Sequence, residues 1–149
     1  MKIYFATDHA GFDLKNKIFN YVKDLGYEVE DCGAYELNPT DDYPEFIKRA
    51  SQKVSENPNN TKAIIFGGSG QGENMVANKF KNIRSVVFYG GPIEIIKLSR
   101  EHNDSNVLSL GARFISEDEA KEAVKIWLET PFSEDERHIR RIAEIDLDK

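Results

Sequence analysis

The sequence predicts an α/β fold: a three-layer α/β/α sandwich around a five-stranded parallel sheet, with one extra C-terminal helix. Three observations carry that expectation. Apolar runs of strand type alternate with stretches of helical spacing five times, the order of a doubly wound parallel sheet with helices on both faces. Residues with chemistry to offer fall just after the strands, where such sheets bind their ligands. At 149 residues the chain has the length of one domain with a full core, and no repeat, low-complexity stretch or linker divides residues 1–149.

The elements follow in order. Ile3 to Thr7 reads as a buried first strand, followed at its carboxyl end by Asp8-His9-Ala10-Gly11. Phe12 to Leu25 carries apolar residues at 14, 18, 22 and 25, a helical spacing that Gly26 terminates. Tyr27 to Asp31 is a second strand, and Cys32 to Tyr43 a loop holding Asn38-Pro39 and Asp41-Asp42. Pro44 opens a helix that runs to about Ser55, before the turn cluster Asn57-Pro58-Asn59-Asn60. Ala63 to Phe66 forms the third strand and Glu73 to Lys79 the helix after it. Ser85 to Tyr89 is a fourth strand, ended by Gly90-Gly91-Pro92, and Ile93 to Asn103 a helix. Asn106 to Leu110 is the fifth strand, with Gly111-Ala112-Arg113 at its end. Ser116 begins an acid-first helix to about Glu129, with Glu119 placed for a capping box. Thr130-Pro131 breaks it, and a terminal helix starts near Glu134.

The most informative stretch joins the third strand to its helix. Gly67-Gly68-Ser69-Gly70-Gln71-Gly72 interrupts the apolar run abruptly. Glycine lets backbone approach a ligand, and the unpaired N–H groups of a helix's first turn point at whatever sits there. Ser69 adds a hydroxyl and Glu73 a carboxylate at the rim. The bland alternative is a tight connection without a ligand. No Lys follows the last glycine, so a Walker-type loop is disfavoured, and the glycine spacing does not fit GxGxxG.

Composition narrows the partners. A net charge of −6 argues against nucleic acid or an anionic membrane. The single Cys32 excludes an internal disulfide and a cysteine-rich metal site, as suits a reducing compartment. The chain enters a strand at once and has no apolar run near 18 residues, so a cytoplasmic protein is expected. Three scattered histidines without metal-ligand spacing point to no metal.

The remaining constellations each have two readings. Asp8-His9 is either a helix cap or a carboxylate–imidazole pair able to move a proton. His102, at a helix C-terminus beside Asn103, is either dipole-stabilised or a general acid–base. Arg137 and Arg141 stand i and i+4, so they share a helix face and could grip one phosphate, or they are a plain basic helix end. Glu134, Asp135, Glu136, Glu144, Asp146 and Asp148 around them disfavour nucleic acid. Together these are parts of an acid–base enzyme for a phosphorylated substrate.

DHAGFDLK, GGSGQGENMVANK, REHNDSNVLSLGAR and RHIRR, in that order, resemble the ribose-5-phosphate isomerase B family of sugar-phosphate isomerases across essentially the whole chain. The resemblance implies a Rossmann-like fold, a cofactor-free aldose–ketose isomerisation of ribose 5-phosphate and ribulose 5-phosphate in the pentose phosphate pathway, and a homodimer, or a pair of dimers, with sites shared between subunits. It implies that His9, Arg137 and Arg141 bind phosphate, joined by Arg113 from the neighbouring subunit. Asp8 and His102 would open the furanose ring. Asn103 and the amides of Gly68, Gly70 and Gly72 would hold the enediolate oxygens, and Ser69 would meet the reacting end of the sugar. Rival functions are the same chemistry on allose or galactose 6-phosphate, or a non-catalytic phosphosugar-binding domain.

Two departures stand out. Many members carry a cysteine base in this loop, where the present chain has Gly67. A second branch has Gly-Gly-Ser-Gly-x-Gly-Glu and uses the glutamate, which assigns the base to Glu73. Gly90-Gly91 replaces larger residues after strand 4, and is expected to enlarge the pocket or reshape a subunit contact.

Overall fold

A computed structural model describes residues 1–146; Asp148 and the last residues of the expected domain lie outside them. Five parallel strands form one sheet in the order β2-β1-β3-β5-β4. They are β1 (Lys2–Thr7), β2 (Glu28–Asp31), β3 (Thr61–Gly67), β4 (Ser85–Phe88) and β5 (Val107–Gly111). The helices are α1 (Phe12–Asp24), α2 (Tyr43–Glu56), α3 (Gln71–Ala77), α4 (Glu94–Glu101), α5 (Glu117–Glu129) and α6 (Glu136–Asp146). No helix among the described residues is long and apolar enough to cross a membrane.

The pleat of the central strands builds both cores. Alternate residues of a strand point to opposite faces, so Ile3, Phe5, Ile64, Phe66, Leu108 and Leu110 pack with Ile18, Val22, Val124 and Trp127 of α1 and α5. Tyr4, Ala6, Ala63, Ile65 and Val107 meet Ile47, Ala50 and Val54 of α2 and Ala77 of α3 on the other face. Each fully buried aliphatic side chain contributes roughly 1.5–3 kcal/mol. The expected capping box of α5 is formed: Ser116 accepts from the Glu119 N–H, and the Glu119 carboxylate accepts from the Ser116 N–H.

Most differences from the sequence reading are at element ends. α3 starts at Gln71, two residues before Glu73, and α6 at Glu136 rather than Glu134. Leu25 is 40 % exposed although its spacing put it on the buried face of α1. That face instead buries Lys15, whose Nζ donates to Asp31 Oδ2 at 2.6 Å and to the Ala34 carbonyl at 2.7 Å. Gly90 and Gly91 have φ of +106° and +103°, backbone that side-chain-bearing residues rarely adopt. Their conformation accounts for the pair, and Gly91 faces open space.

The winding sets where chemistry can sit. From β1 the chain crosses outward to β2, whereas from β3 it departs toward β4 and β5 on the other side. The carboxyl ends of β1 and β3 therefore flank the crevice of a doubly wound sheet.

Candidate active site

Asp8, His9, Ser69, Glu73 and Arg113 gather at that crevice. Thr7 is paired with Phe66 in register, which sets Asp8 beside the start of the glycine turn. Asp8 is 7 % exposed; its Oδ1 accepts from the Ala10 N–H at 2.9 Å, so it does cap the short turn His9–Gly11. The turn from β3 into α3 is laced to the end of β5: Ala112 N–H donates to the Gly67 carbonyl at 2.9 Å and Arg113 N–H to that of Gly68 at 3.1 Å. Gly70, at φ +76°, caps α3 without a side chain, and its carbonyl accepts from the buried Ser109 hydroxyl at 2.7 Å. Ser69 remains exposed at the rim.

Glu73 lies under this turn, 4 % exposed. Burial holds its carboxyl above the ordinary 4.5; its own backbone N–H pulls down, and the nearby Asp8 charge adds to the rise. The Glu73 carboxylate fills the space beside Gly67: a Cβ there would stand 2.0 Å from its carboxyl carbon. Cys32 is buried at the end of β2, and burial pushes its thiol up to about 11. It offers no thiolate near neutrality.

Asp41 was not singled out in the sequence, where Asp41-Asp42 reads as a polar loop. It accepts from the His9 N–H at 2.9 Å and binds His9 Nδ1 at 2.7 Å through the same oxygen. A carboxylate so placed holds Nδ1 protonated and leaves Nε2 for a ligand. Asp8, His9 and Asp41 also form the one grouping among the described residues with donors within 4.8 Å of one another, as a metal ion would need. His9 Nδ1 is engaged by Asp41 Oδ1 and one Asp8 oxygen by the turn, whereas Asp41 Oδ2 is buried with no hydrogen-bond partner among the described residues. The Tyr43 ring was missed likewise; it lies against Gly72, where a Cβ would meet it at 2.8 Å.

The other predicted residues form a second cluster. α4 runs antiparallel to the strands, and His102 caps its carboxyl end just before β5 begins. The His102 ring stacks on that of buried His138 at 4.3 Å and 15°. This seats α6 beside α4, with Arg137 and Arg141 exposed on it. Burial lowers the His138 pKa, and His102 adds to the lowering. His102 precedes β5 and Arg113 follows it; the five residues of β5 separate the two clusters by ~16 Å at ~3.3 Å per residue. One chain therefore does not bring His102, Asn103, Arg137 or Arg141 to Glu73. Arg113 differs from expectation in the opposite sense: its guanidinium lies over Gly68 of its own chain, 3.3 Å from where a Cβ would be.

A family model described as Ribose/Galactose Isomerase matches residues 3–145. Ribose-5-phosphate isomerase B of Mycobacterium leprae is 37% identical over 142 residues, covering 95% of this chain and 86% of that protein. A crystal structure of ribose-5-phosphate isomerase B from Mycoplasma genitalium with bound ribulose-5-phosphate superposes with a TM-score of 0.92 at 33% identity, covering 97% of this chain and 93% of that one. The isomerase of the same name from Thermotoga maritima gives 0.89 at 38% identity, covering 97% of each chain.

Proposed function

The chain belongs to the ribose/galactose isomerase family, and from that membership and the geometry of the crevice we infer how it interconverts D-ribose 5-phosphate and D-ribulose 5-phosphate. The reaction moves one proton from C2 to C1 and another from O2 to O1, through a planar cis-enediolate. A single base on one face of that plane can remove the C2 proton and return it at C1. Glu73 is that base. The observation that carries the assignment is its carboxylate, buried at the crevice in the space that a side chain at position 67 would occupy. Burial raises its proton affinity toward the range in which a carboxylate is both ionised and basic. The amides of Gly68, Gly70 and Gly72 surround the position where the enediolate oxygens develop charge, the interaction that contributes most to rate in such sites. Ser69 reaches the reacting end from the rim. Asp8 assists ring opening, and His9, oriented by Asp41, receives the phosphate end with Arg113.

The second cluster completes the site from another copy. His102 acts as the ring-opening partner of Asp8, Asn103 as a donor to the enediolate, and Arg137 and Arg141 as the phosphate clamp. The outer edge of β4 supports a homodimer there. Among the described residues β4 pairs with β5 alone, and beside it an apolar groove of ≈ 250 Å³ is lined by Val86, Val87, Ile95, Leu98 and Asn103 among others. Ile95 is 53 % exposed and Leu98 36 %. Two copies related by an axis perpendicular to the strands would run antiparallel along this edge. Each would then set its His102 end beside the other's Glu73 end.

Turnover of ribose 5-phosphate by the chelator-treated protein, followed as ketose formation with allose 6-phosphate alongside, tests the activity. The pentose should react with far the larger kcat/KM; turnover of the hexose alone would replace the substrate, and no turnover of either would remove the enzymatic reading.

A further inference from the structure

His102, assigned above to ring opening, is half-buried at the carboxyl end of α4. An imidazole that passes a proton is ordinarily oriented by a hydrogen bond to one ring nitrogen, as Asp41 orients His9. Among the described residues the His102 ring makes neither a hydrogen bond nor an ion pair. What orients it is its stack on the His138 ring, 4.3 Å away and inclined by 15°. The His138 side chain is 5 % exposed, on α6. Its backbone N–H donates to the Asp135 carbonyl at 2.8 Å, and the Ser133 N–H to the Glu101 carbonyl at 3.1 Å. The approach to α6 is thereby tied to the end of α4, one ring against the other. Hydrogen bonding does not explain the His138 ring. Its Nε2 is buried without a hydrogen-bond partner among the described residues, and the Asp135 carboxylate stands 3.8 Å away. An unpaired buried nitrogen costs stability, and the flat face is what the ring offers its neighbour. Burial, His102, Arg137 and Arg141 hold the His138 imidazole below its ordinary 6.5, against the pull of Asp135. A neutral ring does not oppose a proton on His102, as a second imidazolium would.

We propose that His138 is a positioning residue for ring opening: its buried ring is the platform that holds His102 in the orientation in which it serves the sugar. The inference rests on the assignment of His102 to that step. It gives α6 two separate tasks, since Arg137 and Arg141 on the same helix are exposed and carry the proposed phosphate clamp.

His138→Phe keeps a flat ring at this position, whereas His138→Leu keeps apolar bulk without one; His138→Met replaces the latter if it does not fold. In the unliganded protein the His102 ring protons, assigned by their loss in His102→Gln, should be shifted upfield by the stack. That shift should persist in His138→Phe and vanish in His138→Leu. With ribose 5-phosphate, His138→Phe should keep kcat within about threefold of wild type and His138→Leu should lose about tenfold, part of what a general acid supplies. KM should stay within about twofold in both, because Arg137 and Arg141 remain on α6. His138→Phe should also melt higher, since it removes the unpaired nitrogen. Wild-type kcat in His138→Leu would reduce His138 to packing. An equal loss in His138→Phe would assign the effect to the nitrogens, and a loss confined to KM would make the ring a seat for the arginines. Each of these overturns the proposal, as does an unshifted His102 in the wild type. Absence of wild-type turnover removes the isomerase reading and the proposal with it, and a retained upfield shift tells that failure from loss of the stack.

Discussion

Glu73, the proposed base, also carries a cost to the fold. Its carboxyl is held above the ordinary value, so the ionised form is the one that burial disfavours. Glu73→Gln should lower kcat by about 10³-fold, within the range for a lost general base, while leaving substrate affinity within a few-fold by inhibitor or calorimetric titration. The sign for stability follows from the same shift. The wild type is penalised above the raised folded pKa and relieved as pH falls through it, so Glu73→Gln should have the higher Tm at neutral pH and lose that advantage in acid. The acid limb of kcat/KM should likewise lie above 4.5. Asp41 touches His9, so its proposed effect passes through that ring rather than directly to the sugar. Asp41→Asn removes the charge facing Nδ1 and should raise KM about tenfold, as a charge-assisted hydrogen bond is worth, with kcat nearly unchanged. An equal fall in kcat across the pH profile would instead mark Asp41 as merely structural. Nothing in the sequence separates Asp41 from Asp42; only the fold of the loop puts one of them 2.9 Å from a backbone N–H at the end of β1.

The unit from β3 into α3 was the most legible part of the chain, because glycines between an apolar run and a helix have few other uses. Their individual reasons were not legible. Gly70 is required by its positive φ, Gly72 by the Tyr43 ring, and Gly67 by the Glu73 carboxylate. Gly67→Ala should therefore act as a catalytic variant without touching a reacting group. Its methyl would stand 2.0 Å from the Glu73 carboxyl carbon, displacing the base. Turnover should fall to the level of Glu73→Gln, with a loss of ~1–3 kcal/mol in chemical denaturation from overpacking. Activity within twofold of wild type would mean that the carboxylate can leave this position without consequence. The helix ends were read less well: α3, α4 and α6 differ from expectation by one or two residues, since the last turn of a helix is decided by tertiary contacts.

The whole molecule was legible as a class and illegible as a site. Strand and helix alternation determines a parallel sheet, and it is what the structure shows. Sequence order alone could not reveal that β5 lies between β3 and β4, leaving the β4 edge open with its half-buried valines. Nor could motif matching reveal that the residues proposed for one reaction lie at opposite ends of one subunit, since a motif carries no position in space. The most direct measurement is complementation between two inactive proteins, Glu73→Gln and the double variant Arg137→Ala, Arg141→Ala. If each site takes one half from each of two copies, a mixed dimer has one site with every defect and one with none. Equal mixing with free subunit exchange makes half of the dimers mixed, so about a quarter of wild-type activity should return. If activity stays at the level of the separate variants while exchange is complete, the two clusters do not build one site.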